Sequence, residues 1–283
     1  MNSKPVLLLA ACADRKVRQA ARLSDLAIPG KHIGLTDTMP PGLLRRIALS
    51  SPEIEVWQAP LDVGAESVVR FTELLSLDER LRAQRFHYER DRRRYVVARG
   101  VLRVLLGDYL GTPPASIAFG YTKYGKPVVA EPAAQIQFNL SHSEERALYA
   151  ISRSRRLGVD IEYLNRDIDH EGLAKRFFAP GEYAALQRMR KSGRRRAFLA
   201  CWTRKEAVAK ALGRGLLLPL DQFEVTVALE AAPRVHGFIA AAHGLADWHL
   251  YSVNTDNDYF ATVASCHAWR NIRETAHAVS KSA

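Results

Sequence analysis

The chain has 283 residues, 47% hydrophobic and 25% charged, a globular balance that excludes wholesale disorder and low-complexity architecture. That length suits one large domain or two small ones, and no apolar run approaches the ~20 residues of a membrane span. The net charge of +11 is local: nine arginines stand against Glu89 and Asp91 between Arg80 and Arg103, and six basic residues stand unopposed between Arg188 and Arg196.

The start, Pro5 to Ala11 before Cys12, has the look of a lipoprotein cleavage site, with an apolar stretch at the bottom of the usual length. Residues 1–50 read as an N-terminal extension, with Thr38-Met39-Pro40-Pro41-Gly42 as punctuation. Glu53 to Trp57 alternates and predicts a strand. Ser76-Leu77-Asp78-Glu79 reads as a helix start. Val97, Val101, Val104 and Leu105 mark one helix face, with Arg92, Arg99 and Arg103 off that stripe. Gly111-Thr112-Pro113-Pro114 ends the helix. Ile117 to Tyr121 predicts a strand, Tyr124-Gly125-Lys126-Pro127 a turn, and Gln135 to Leu140 another strand. Leu148–Ile151 and Leu157–Ile161, around the polar Ser152–Arg156 turn, predict a hairpin. Helices are expected at Glu171–Phe178, Gly181–Met189 and Arg196–Leu212, and strands from Phe223 to Val263. No repeat of fixed period is visible. The order of elements gives an α+β chain of two similar halves. The halves are placed at 51–157 and 158–270, with a tail at 271–283.

Cys12, Cys201 and Cys266 form neither a disulfide framework nor a metal-ligand spacing. They point to a reducing compartment, the cytoplasm. The two basic clusters point to a polyanionic ligand or an acidic partner, against the plainer reading of solvated helix faces.

Three constellations could carry chemistry. In Gly158-Val159-Asp160-Ile161-Glu162, strand alternation puts Asp160 and Glu162 on one face, about 6–7 Å apart at their backbones. Two such carboxylates repel unless a cation or basic group lies between them, and oxygen ligands suit Mg²⁺. In Trp202-Thr203-Arg204-Lys205-Glu206-Ala207-Val208-Ala209-Lys210, Glu206 and Lys210 are helical neighbours, which also describes an ordinary surface pair. In Phe138-Asn139-Leu140-Ser141-His142-Ser143, a strand ends in short polar groups that could hold an anion, or that simply make a turn. Ser141-His142 lacks the setting of a hydrolase nucleophile.

Taken in order, these blocks resemble the Sfp-type 4′-phosphopantetheinyl transferases. The resemblance runs from about Glu53 to His267 and includes Tyr124-Gly125-Lys126-Pro127, Arg176-Phe177-Phe178 with Glu182, and Gly213-Arg214-Gly215-Leu216 through Pro219-Leu220. It implies two α+β halves related by a pseudo-twofold, with coenzyme A in the cleft between them. It implies transfer of 4′-phosphopantetheine from coenzyme A to a serine hydroxyl of an apo acyl, peptidyl or aryl carrier protein. That is activity of the holo-[acyl-carrier-protein] synthase type, Mg²⁺-dependent, releasing adenosine 3′,5′-bisphosphate. It implies Asp160, Glu162 and Glu206 as metal ligands and Glu206 and Lys210 as catalytic residues. Arg82, Lys126, Ser141, His142 and Lys205 fall to coenzyme A binding.

The chemistry is consistent with the residues. Attack of a hydroxyl on a phosphoanhydride develops negative charge, which a metal ion and a lysine offset. The phosphates of coenzyme A suit arginines, and an acidic carrier suits a basic flank. A metal-dependent nuclease is the alternative, but such enzymes usually place acid and lysine two apart on a strand, not four apart on a helix. A noncatalytic nucleic-acid binder explains the arginines and leaves Asp160 and Glu162 unexplained. The expectation is therefore a monomeric enzyme acting on coenzyme A and an acidic carrier, with no nucleic-acid or membrane partner.

Overall fold

The computed structural model describes residues 39–130, 135–238 and 248–267. After a short strand β1 (Arg45–Ile47), β2 (Glu55–Pro60) leads into helices α1 (Ala65–Leu74), α2 (Leu77–Ala83) and the long α3 (Glu89–Leu110). A small antiparallel pair follows, β3 (Phe119–Tyr121) and β4 (Pro127–Val129), and then β5 (Gln137–Ser143) and β6 (Arg146–Ser152). The second half runs in the same order. Strand β7 (Arg155–Tyr163) precedes α4 (His170–Phe177), α5 (Pro180–Arg188) and the long α6 (Lys191–Leu212). The pair β8 (Phe223–Val225) and β9 (Val235–Phe238) is followed by β10 (His249–Ser252) and β11 (Tyr259–His267). The sheets repeat as well. One has the order β5-β6-β2 with β1 outside, the other β10-β11-β7, and every pairing is antiparallel. The chain is thus α+β in two similar halves. Its repeat lies in the order of elements, with connections of unequal length, which is why no fixed sequence period shows it.

Two expectations change. Strand β1 pairs with Val56–Gln58, so the first sheet begins inside the stretch read as an extension. The hairpin of Leu148–Ile151 with Leu157–Ile161 does not form. β6 pairs with β2 and β5, while β7 pairs with β11 from far along the chain. The Ser152–Arg156 turn carries the chain from one sheet to the other, and β7 begins at Arg155. The physical reason is burial. Leu148 and Ala150 meet Leu157, Val159 and Ile161 in one apolar cluster, face to face instead of edge to edge. The Cys12 segment and the 271–283 tail lie outside the described residues. Among the described residues, no helix is long and apolar enough to cross a membrane.

The layers follow from that cluster. The other face of the first sheet carries α3, where buried Tyr149 donates its hydroxyl to the Ala98 carbonyl at 3.1 Å. The other face of the second sheet carries α6. Gly158 makes that approach possible, since a Cβ there would sit 2.2 Å from the Ala207 carbonyl oxygen. Both long helices end at a glycine in the left-handed region, Gly111 at φ 63° and Gly213 at φ 72°.

Each long helix is tied to the short helix before it by a buried glutamate. Helix α2 starts after Ser76 as expected; the Ser76 N–H donates to Glu79 at 3.1 Å, and Glu79 also receives Arg99 and Arg103 from α3 at 2.5 and 2.7 Å. The Ala179 N–H donates to Glu182 at 2.8 Å, and Glu182 receives Lys205 from α6 at 2.6 Å. Arg99 and Arg103 therefore leave the basic surface cluster. They are buried counter-ions of Glu79, because an unpaired glutamate inside the helix layer would be far too costly.

Candidate active site

The site forms where β5 of the first half meets β7 and α6 of the second. On β7, Val159 and Ile161 turn into the apolar cluster between the sheets, so Asp160 and Glu162 turn to the α6 side. Asp160 is buried, and its Oδ1 accepts from Lys210 Nζ at 2.5 Å and from Ser141 Oγ at 2.9 Å. Lys210 also donates to Ser141 Oγ at 2.8 Å. Glu162 accepts from Ser143 Oγ at 3.1 Å and faces the Arg166 guanidinium at 3.4 Å. Glu206 lies one turn before Lys210 on α6 and is 9% exposed.

The electrostatics show three acids crowded together. Burial, and then the nearby Asp160 charge, push the Glu206 carboxyl up to about 7, with Lys210 opposing. Burial and Asp160 also raise Glu162. Asp160 Oδ2 and Glu206 Oε1 are buried without a hydrogen-bond partner. Orphaned, mutually repelling carboxylate oxygens are the donor chemistry of a hard cation that keeps some ligands from substrate or water. Among the described residues, no three acidic, histidine or cysteine side chains close into a ready-made cage. Lys210 supplies the positive charge at Asp160, which removes the reading of Glu206 and Lys210 as a simple surface pair.

Strand β5 runs unbroken to Ser143, so the polar block read as a strand end is strand throughout. Alternation sends Asn139, Ser141 and Ser143 towards β7 and leaves His142 exposed on the opposite side. Protein crowded around the ring, then the Lys210 ammonium, hold the His142 pKa below its ordinary value, although its surface is largely open. Lys126, on the β3–β4 turn, donates from Nζ to the Leu157 carbonyl at 2.8 Å and the Lys210 carbonyl at 2.9 Å.

A family model described as the 4′-phosphopantetheinyl transferase superfamily matches residues 156–264, and one for the N-terminal region of a 4′-phosphopantetheinyl transferase matches residues 63–153. The 4′-phosphopantetheinyl transferase HetI of Nostoc sp. is 37% identical over 220 residues, covering 77% of this chain and 90% of that protein. The chain belongs to the 4′-phosphopantetheinyl transferase superfamily. A Bacillus subtilis 4′-phosphopantetheinyl transferase is 32% identical, covering 74% of this chain and 88% of its own length. The Sfp transferase of Bacillus subtilis is 33% identical over 58% of this chain and 71% of its own length.

Within this transferase, the structure gathers Asp160, Glu162, Glu206, Lys210 and Ser141 and leaves other expected residues outside. Lys205 is a correction. It is fully buried, with Nζ held by Glu182 and by the Phe223 carbonyl at 2.6 Å, which commits its ammonium to an interior ion pair outside the Asp160–Lys210 network. Adjacent residues of a helix point in different directions, so Lys205 meets Glu182 while Glu206 meets the acids of β7. Arg82 is exposed on α2 with its guanidinium 5.9 Å from the Tyr95 ring centroid, outside the Asp160–Lys210 network. Asn139 and Ser143 were not singled out from sequence. Their period of two with Ser141 is the available signal, visible once the strand is carried through to Ser143.

Proposed function

We propose that this transferase moves 4′-phosphopantetheine from coenzyme A to a serine hydroxyl of an apo carrier protein and releases adenosine 3′,5′-bisphosphate. The observation that carries this reading is the Lys210–Asp160–Ser141 network beside the orphaned oxygens of Asp160 and Glu206. Asp160, Glu162 and Glu206 would hold Mg²⁺, which supplies charge compensation to the pyrophosphate. In the reaction the serine Oγ bonds to the pantetheine-bearing phosphorus, and the bond from that phosphorus to the oxygen of the nucleotide's 5′-phosphate breaks. Glu206 takes the serine proton, directly or through water. Lys210, held at Asp160 and Ser141, meets the negative charge that develops on the leaving phosphate. Ser141, His142 and Arg82 are proposed contacts of the coenzyme A phosphates. The exposed arginines steer an acidic carrier.

The two halves within one chain support a monomer, and the sparse cysteines support work in the cytoplasm. The test is incubation with coenzyme A, Mg²⁺ and a panel of apo carriers, followed by mass measurement of the carriers. A gain of one phosphopantetheine unit is expected. No gain on any carrier, with cleavage of nucleic acid instead, would replace this reading with the nuclease.

A further inference from the structure

Among the described residues, strand β7 ends its sheet and pairs with β11 alone. A strand edge inside a protein needs partners for its backbone groups. Three groups on the far edge of β7 find them in side chains of the first half. The Leu157 carbonyl accepts from Lys126 Nζ at 2.8 Å. The Val159 N–H donates to buried Asn139 Oδ1 at 2.8 Å. The Tyr163 N–H donates to Ser143 Oγ at 3.0 Å. Asp160 and Glu162 lie between these fixed points.

The same side chains reach the reacting groups' supports. Lys126 Nζ also donates to the Lys210 carbonyl at 2.9 Å, in the last turn of α6. The Ser143 hydroxyl also donates to Glu162 at 3.1 Å. Lys126 thus joins the start of β7 to the turn of α6 that carries the lysine. A paired strand along this edge would fill the space with backbone about 4.8 Å away. Here side chains of the first half meet the same groups instead.

We propose that Lys126, Asn139 and Ser143 are a side-chain splint. They are positioning residues that fix the register of β7 and the last turn of α6, and through them Asp160, Glu162 and Lys210. The Lys126 ammonium, held by two backbone carbonyls, acts through this bracing. The kinetic part of this inference rests on the transfer reaction proposed above; the structural part does not.

Residue-resolved amide hydrogen exchange on the full-length, ligand-free protein tests the splint without any activity. Asn139→Leu should speed exchange at Val159, and Ser143→Ala at Tyr163, each by about tenfold or more. Unchanged rates at both amides overturn the splint. If Asn139→Leu does not fold, Ser143→Ala at Tyr163 decides by itself.

Steady-state kinetics test the positioning. Lys126→Met should lower kcat by about tenfold or more with KM for coenzyme A within about twofold, and Lys126→Arg should recover most of the loss. A raised KM with unchanged kcat makes Lys126 a coenzyme A ligand and overturns its positioning role. A wild-type protein that modifies no carrier counts against the transfer reaction, while the exchange rates still decide the splint.

Discussion

The two halves share a frame and differ in chemistry. Each has a strand, two short helices, a 22-residue helix, a small strand pair and two further strands. In each, a short-helix glutamate is buried against a base on the long helix, Glu79 with Arg99 and Arg103, Glu182 with Lys205. Arg103 and Lys205 stand equally far from the starts of their helices. The next residue is Val104 in one half and Glu206 in the other, both buried. Strand β2 carries Glu55-Val56-Trp57-Gln58 where β7 carries the Asp160 and Glu162 pair. The first half instead lends the second its β5 side chains. The duplicated frame is shared, and the site comes from a few side chains on the second copy completed by β5 of the first.

The sharpest way to break this comparison is to invert the charges that only the second half has. Glu206→Lys with Lys210→Glu preserves a possible ion pair but places a cation among the acids and an anion at the phosphate. A folded protein with turnover down by about 10²-fold or more is expected in the carrier mass assay. Retention of even about a tenth of turnover would show that the pair is structural.

The frame itself should fail alike in both halves. Glu79→Ala leaves two buried arginines, and Lys205→Met leaves a buried glutamate. Each should cost about 3–5 kcal/mol in urea unfolding. A silent substitution in one half would mean that the two locks are not equivalent.

Acid stability sharpens the comparison further. Burial alone would push the Glu79 carboxyl up, but Arg99 and Arg103 outweigh it and hold it below the ordinary value of 4.5. A depressed carboxyl stabilises the fold above its unfolded pKa, and that stabilisation is lost as pH falls through the folded one. Glu79→Gln should therefore lower stability at neutral pH and flatten its fall on the acid side. The check is urea midpoints measured from pH 7 to pH 3; curves of identical shape would contradict the assignment.

The smallest effect is expected at Arg82, an exposed first-half residue. Arg82→Ala should raise KM for coenzyme A by about three- to tenfold, and raise it less for 3′-dephospho-coenzyme A. Equal changes on both substrates would remove Arg82 from the 3′-phosphate.

Much of this transferase was legible in the chain. Alternation placed Asp160 and Glu162 on one face, the helix period placed Glu206 above Lys210, and Ser76 with Glu79 marked the start of α2, because these relations act over a few residues. The order of the elements gave the α+β class for the same reason. Composition could not say which cations are buried. Arg99, Arg103 and Lys205 look like surface charge in the sequence and are interior counter-ions in the fold, since their glutamates come from other helices. Nor could local pattern tell that β6 and β7 part company across a short turn, because the partner of β7 lies far along the chain. Only the folded chain brings β5 beside β7, so that Lys210 meets Asp160 instead of Glu206 and Lys126 braces a strand from the opposite half. Local spacing fixes which side chains share a face; which faces meet is decided by the burial of whole sheets.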